Sequence, residues 1–196
     1  MKLLERILVA TNFSRAAEDA VEMALYAACR FGSKVDLLHV RPSDAESESL
    51  SDSDQVIFDR LDAIAERMIQ QGVQHVESVV LAGAEADQII RFAEQENVNI
   101  IIIGAGEMAP EVQQVYLGAN AARLRRCSSK PVWIVKPGMP PPIRRILCPV
   151  DMLPASARAL RNAIHFARAF EAELAVLLVT KSPPGEDHES RELWDA

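Results

Sequence analysis

The stretch GAGEMAPEVQQVYLGAN, Gly104 to Asn120, has glycines near both ends and follows the apolar run VNIIII, Val98 to Ile103. Glycine lets a backbone approach a ligand closely, and the N–H groups that open a helix point at anions. A glycine turn at the carboxyl end of a buried strand is where open α/β sheets take phosphate. The chemistry on offer is anion binding rather than bond making. Other candidates are fewer. His39 ends a strand-like run and reads as a packed, hydrogen-bonded histidine, while His75, His165 and His188 have no partners at ligand spacing, so no metal site is read. Ser14 lacks the glycine-flanked elbow of a hydrolase nucleophile and reads as a helix N-cap. Cys29, Cys127 and Cys148 are far apart, match no metal-ligand spacing and predict free thiols of a reducing cytoplasm. No nucleophile, base and orienting group assemble from these residues, and the reading leans away from an enzyme.

These residues need a scaffold, and composition bounds it. The chain has 196 residues, 49% of them hydrophobic, with a net charge of −7, which suits one well-packed domain with residues to spare. The acidic balance argues against a broad nucleic-acid surface. The one basic cluster, Arg123 to Arg126, falls where a helix is expected to end, and cations there complement the dipole. Glu5 and Arg6 interrupt the apolar start, no cleavage site follows, and no run reaches the roughly 18 apolar residues of a membrane span. A soluble, intracellular protein is expected.

Strand-like and helix-like stretches alternate along the chain. RILVAT (Arg6 to Thr11) predicts a buried strand, and Arg15 to Phe31 a helix with alanines at helical spacing, stopped by Gly32. KVDLLHV (Lys34 to Val40) predicts a second strand. The acidic, serine-rich segment after it, with Asp44 to Asp54 at its heart, reads as a solvated loop before a helix from Gln55 to Gln71. A third strand in HVESVVLAG, a helix in AEADQIIRFAEQEN, the isoleucine strand, a helix from Glu111 to Arg126 and a fifth strand in PVWIVKP complete the series. Trp133 in that last strand is open to two readings, core packing or a protein contact. Crossovers of this length return the chain in the same direction, so a doubly wound, mostly parallel five-stranded α/β sheet is predicted.

After KPGMPPP the pattern repeats. The segment from Arg144 to Pro183 lies on the segment from Glu5 to Ser43, each opening with Arg-Ile-Leu, passing an Asn or Asp, and continuing through an alanine-rich helix to a second apolar strand. The second copy ends after strand, helix and strand. The expected organisation is a domain over 1–137, a proline-rich linker over 138–142, a partial β-α-β repeat over 143–182 and a polar tail over 183–196. Two apolar strands with one helix leave a face uncovered, which predicts pairing with a second copy of the chain, the alternative being that the half repeat folds back on the first domain across its fifth strand.

Taken together, RILVATNFS with its alanine helix, DLLHV, the AG…IIRFAEQENVNIIIIGAG unit and LGANAARLRRCSSKPVWIVKP resemble the universal stress protein family. The resemblance covers residues 1–137 almost continuously and resumes over 143–182. It implies an adenine-nucleotide-hydrolase-like sheet of order 3-2-1-4-5. It also implies a nucleotide held against Thr11, Asn12, Val40, Gly104, Gly106, Gly118, Ala119 and Asn120. Members of the family that hold ATP carry a loop G-x-x-G-x9-G-[ST]. Here the outer glycines carry one residue too many between them. Glu107 or Met108 takes the place of the second glycine, depending on the end from which one counts. Ala119 replaces the hydroxyl residue and Asn12 the usual aspartate, while Asp151 keeps the acid in the second copy. The resemblance therefore implies a stress-response or regulatory protein with a degraded nucleotide site, for which ATP is a possible cofactor. It would act through dimerisation, which the family's fifth strand commonly mediates, and through protein partners, without nucleic acid or membrane. The rival reading is an ATP-binding module with slow ATPase activity, and a third is an assembly subunit.

Overall fold

The computed structural model describes residues 4–43, 52–106, 117–139, 141–151 and 153–180. RILVA forms strand β1 (Arg6–Ala10), whose last four residues are buried. A strand this apolar needs cover on both faces. Helix α1 (Arg15–Phe31) lies over one of them. Its N-cap is Ser14, whose hydroxyl accepts from the Ala17 N–H, and Gly32 closes it at φ 63°, the left-handed region that glycine enters without a Cβ clash. The chain continues through β2 (Lys34–Arg41), α2 (Asp52–Gln70), β3 (Val76–Ala82), α3 (Glu85–Gln95), β4 (Ile100–Gly104), α4 (Ala119–Cys127) and β5 (Val132–Val135). All neighbours pair in parallel, in the order β3-β2-β1-β4-β5. On the face opposite α1, Leu8, Ala10, Leu38, Ile101 and Ile103 pack against Ala86, Ile89 and Ala93 of α3 and Ala121 and Leu124 of α4.

Two boundaries depart from the sequence reading. Helix α2 starts at Asp52, inside the acidic run expected to be loop. Buried Asp54 meets Arg41 Nε at 3.1 Å, and this ion pair ties the start of α2 to the end of β2. Residues 44–51 of that run lie outside the described residues. Helix α4 starts at Ala119 rather than Glu111, because Leu117 and Gly118 are not helical and Gly118 sits at φ −54°, ψ 155°. The expected helical segment 111–116, with Glu107 and Met108 before it, lies outside the described residues.

Side chains join α3 to α4, and the residues that follow each helix continue the seam. Asn120 donates to Glu85, Arg123 to Asp87 at 2.6 Å, Ser129 to Glu94 at 3.0 Å and Lys130 to Asn97 at 2.6 Å. At the amino ends of the strands, Arg6 grips the buried Asp36 through Nε (2.7 Å) and Nη2 (3.0 Å), and reaches Glu96 through Nη1 (2.6 Å). The hydrogen bond to Asp36 pushes the Arg6 guanidinium above its usual range. Asn99 Oδ1 accepts from the N–H groups of Glu5 (2.9 Å) and Arg6 (2.8 Å), which fixes the entry of the first strand.

The chain divides into two compact units, 1–142 and 143–196. In the second, β6 (Arg145–Val150) pairs in parallel with β7 (Glu173–Leu178), and α5 (Pro154–Phe170) joins them. Helix α5 covers the face of Ile146, Cys148, Val150 and Leu174 through Leu160 and Ala163. Strand alternation puts Leu147, Pro149, Leu177 and Val179 on the other face. There Leu147 is 64% exposed, Leu177 50% and Val179 54%. Their counterparts in the repeat are Leu8, Ala10, Leu38 and Val40, which α3 and α4 cover in the first unit. Among the described residues, the second unit thus leaves exposed the face whose counterpart the first unit buries.

A candidate nucleotide cleft where the strand order reverses

The crossover from β1 leads to β2 on one side and that from β4 to β5 on the other. A crevice therefore opens between the carboxyl ends of β1 and β4. It is a cleft of about 140 Å³, with an apolar floor of Ala10, Ile89, Ile103 and Leu124. Around it stand Asn12 and Ser14 from the β1–α1 turn, Gly104 and Gly106 after β4, Gly118, Ala119 and Asn120 at the start of α4, and Glu85 from α3. Of the residues predicted for the site, Asn12, Gly104, Gly106, Gly118, Ala119 and Asn120 come together here. Thr11 and Val40 lie outside the lining: Thr11 is buried with its hydroxyl accepting from Phe13 N–H (3.0 Å), and Val40 packs on the core beneath α3.

The turn after β1 is built by its own side chains. Asn12 Oδ1 accepts from the N–H of Ser14 (3.1 Å), an Asx turn that leads the chain into α1. In the second unit Asp151 Oδ1 does the same for Leu153 N–H (3.1 Å) and also accepts from the Ser156 hydroxyl, a bond that holds the Asp151 carboxyl below its usual range. The position that carries the acid thus has a structural task in both copies. His39 is packed and hydrogen-bonded, as predicted, with Nδ1 2.8 Å from Thr11 O and its ring stacked on Phe13 at 4.8 Å.

The glycines differ in kind. A Cβ on Gly104 would lie 2.3 Å from the carbonyl oxygen of Ala16, so glycine is required for α1 to pack on the end of β4. Among the described residues, a Cβ on Gly118 would meet only Gly106, 3.8 Å from its Cα, so the two described ends of the connection come together at the cleft. Gly118 offers no side-chain cap, and α4 has no acidic residue in its first turn. Gly118, Ala119 and Asn120, which open the helix, line the cleft.

Glu85 was not anticipated. An acid opening a helix reads as a partner of the dipole, and α3 carries two, Glu85 and Asp87, which hid the one that turns into the cleft. Its Oε2 accepts from Asn120 Nδ2. Burial pushes the Glu85 carboxyl above its usual range, and His39 draws it partly back.

The sequence pattern of the universal stress protein family matches residues 4–136 and again 142–192. The chain belongs to this family. No curated protein matches it. Among solved structures, a universal stress protein from Archaeoglobus fulgidus DSM 4304 aligns with TM-score 0.67 at 21% identity, over 90% of this chain and 68% of its own. A universal stress protein in complex with cAMP aligns with TM-score 0.58 at 20% identity, over 69% of this chain and 99% of its own. The Archaeoglobus fulgidus universal stress protein in complex with dAMP aligns with TM-score 0.53 at 23% identity, over 69% and 100%. These likenesses carry the fold, a five-stranded parallel sheet of order 3-2-1-4-5. Among the described residues of this universal stress protein there is no group of three or more acidic, His or Cys side chains placed to hold a metal ion, and no helix is long and apolar enough to cross a membrane.

Proposed function

We propose that this universal stress protein has a regulatory role in the stress response, with a weakened adenine-nucleotide site and with association between copies as its means of action. The observation that carries the reading is the first turn of α4. It lines the cleft, where a helix start can receive an anion, but Gly118 and Ala119 bring no hydroxyl to grip a phosphate. Asn12 replaces the acid on the other wall, and its Oδ1 is engaged by the turn. Calorimetry with ATP and magnesium should show no binding tighter than about 100 μM, or roughly −5.5 kcal/mol. ATP that co-purifies in stoichiometric amount would overturn this reading. The alternative, an ATP-binding stress protein with slow ATPase activity, is favoured by the closeness of Gly106 and Gly118 across the cleft.

The exposed face of Leu147, Pro149, Leu177 and Val179 supports a homodimer in which two second units cover one another. The three free cysteines fit a reducing, cytoplasmic setting. On this reading the repeat covers 143–182 and serves as the contact, while the domain over 1–137 carries the cleft.

A further inference from the structure

We propose that Glu85 sets the protein's own carboxylate beside the anion seat at the first turn of α4, so that the cleft selects adenine ligands without a polyphosphate over ATP. The inference rests on the adenine-site reading above and names the ligand class of that site. Among the described lining residues, Glu85 is the one titratable side chain. It enters the cleft as the first residue of α3 and accepts from Asn120, the second residue of α4, so its negative charge stands against the turn where a phosphate would be received. No described cation forms a salt bridge with it, since the neighbouring pair along these helices joins Arg123 to Asp87 instead. Half-buried in a cleft floored by Ile89, Ile103 and Leu124, the charge is only partly screened by solvent. Burial also raises the carboxyl above its usual range, and His39 draws it partly back.

A carboxylate in this position has two chemical effects. It repels the several negative charges of a triphosphate, and it accepts hydrogen bonds from neutral donors such as ribose hydroxyls or an exocyclic amine. A nucleoside meets only the second effect. ATP meets both, and the first grows with each added phosphate.

Calorimetry on the full chain tests this with three probes, adenosine, ATP and inorganic tripolyphosphate, against the wild type, Glu85→Gln and Glu85→Ala at pH 7.5. Both variants should tighten ATP at least tenfold and make tripolyphosphate binding measurable, while adenosine affinity changes less than threefold or weakens. Equal affinity of wild type and both variants for ATP and for tripolyphosphate overturns the role of Glu85. Tripolyphosphate binding gained by the variants, without adenosine binding to any form, supports the role of Glu85 and rejects the adenine reading on which the ligand class rests. The alanine variant keeps the comparison decisive if glutamine retains the hydrogen bond to Asn120 and holds the turn closed.

Discussion

Gly104 and Gly118 stand at the two ends of one connection, yet they are glycines for unrelated reasons. At Gly104 the backbone of Ala16 occupies the space a side chain would need, and backbone cannot swing away as a flexible side chain does. Gly104→Ala should therefore cost about 1–3 kcal/mol through overpacking. At Gly118 the backbone angles suit any residue and no described neighbour stands closer than 3.8 Å to a Cβ, so Gly118→Ala should stay within about 0.5 kcal/mol. Urea denaturation of the two variants checks the contrast, and equal losses would show that both positions are packing sites. A glycine pattern read from sequence cannot separate these cases. It marks where backbone comes close, and only the packing shows whether the neighbour is a helix or an open cleft. Ser14 was legible for a different reason: a cap is local, and the residues that make it lie three positions apart. Glu85 was not legible, because its partner Asn120 is 35 positions away and the link depends on how α3 meets α4.

The elements were readable wherever their signal was internal. The buried strands β1 and β4, helix α1 with its cap and stop, and the β-α-β order of the repeat follow from periodicity and punctuation, and parallel pairing follows from the crossovers. The beginnings of α2 and α4 were missed because each is decided by something outside the helix. For α2 it is the pairing of Asp54 with Arg41, and for α4 the extended backbone of Gly118. The repeat also shows how one residue changes value with its surroundings. Arg6 and Arg145 open equivalent strands, but Arg6 neutralises a carboxylate that is almost wholly buried, whereas exposed Arg145 lies opposite exposed Glu173. Arg6→Ala should cost about 3 kcal/mol because it strands the Asp36 charge, and Arg145→Ala under about 1 kcal/mol. Chemical denaturation followed by circular dichroism measures both, and an equal, small effect would mean that Asp36 finds another partner.

At the scale of the whole molecule, the two units divide the tasks the sequence assigned to one fold. The first has covered sheet faces and a cleft; the second repeats the opening β-α-β of that fold and leaves one apolar face open. Light scattering of the full chain at tens of micromolar should give the mass of a dimer, and the pair of changes Leu147→Glu and Leu177→Glu should return it to a monomer. A monomeric wild type would end the proposal that this face joins two copies. Within the first unit, the arrangement of polar ties bears on motion as well as stability. Arg6, Asp36, Glu96 and Asn99 bind the amino ends of three neighbouring strands and the end of α3 to one another, and they do so at the pole of the sheet opposite the cleft. Local opening follows the least protected contacts. Strands tied in this way resist opening at that end, so their register is held there whatever residues line the cleft at the other.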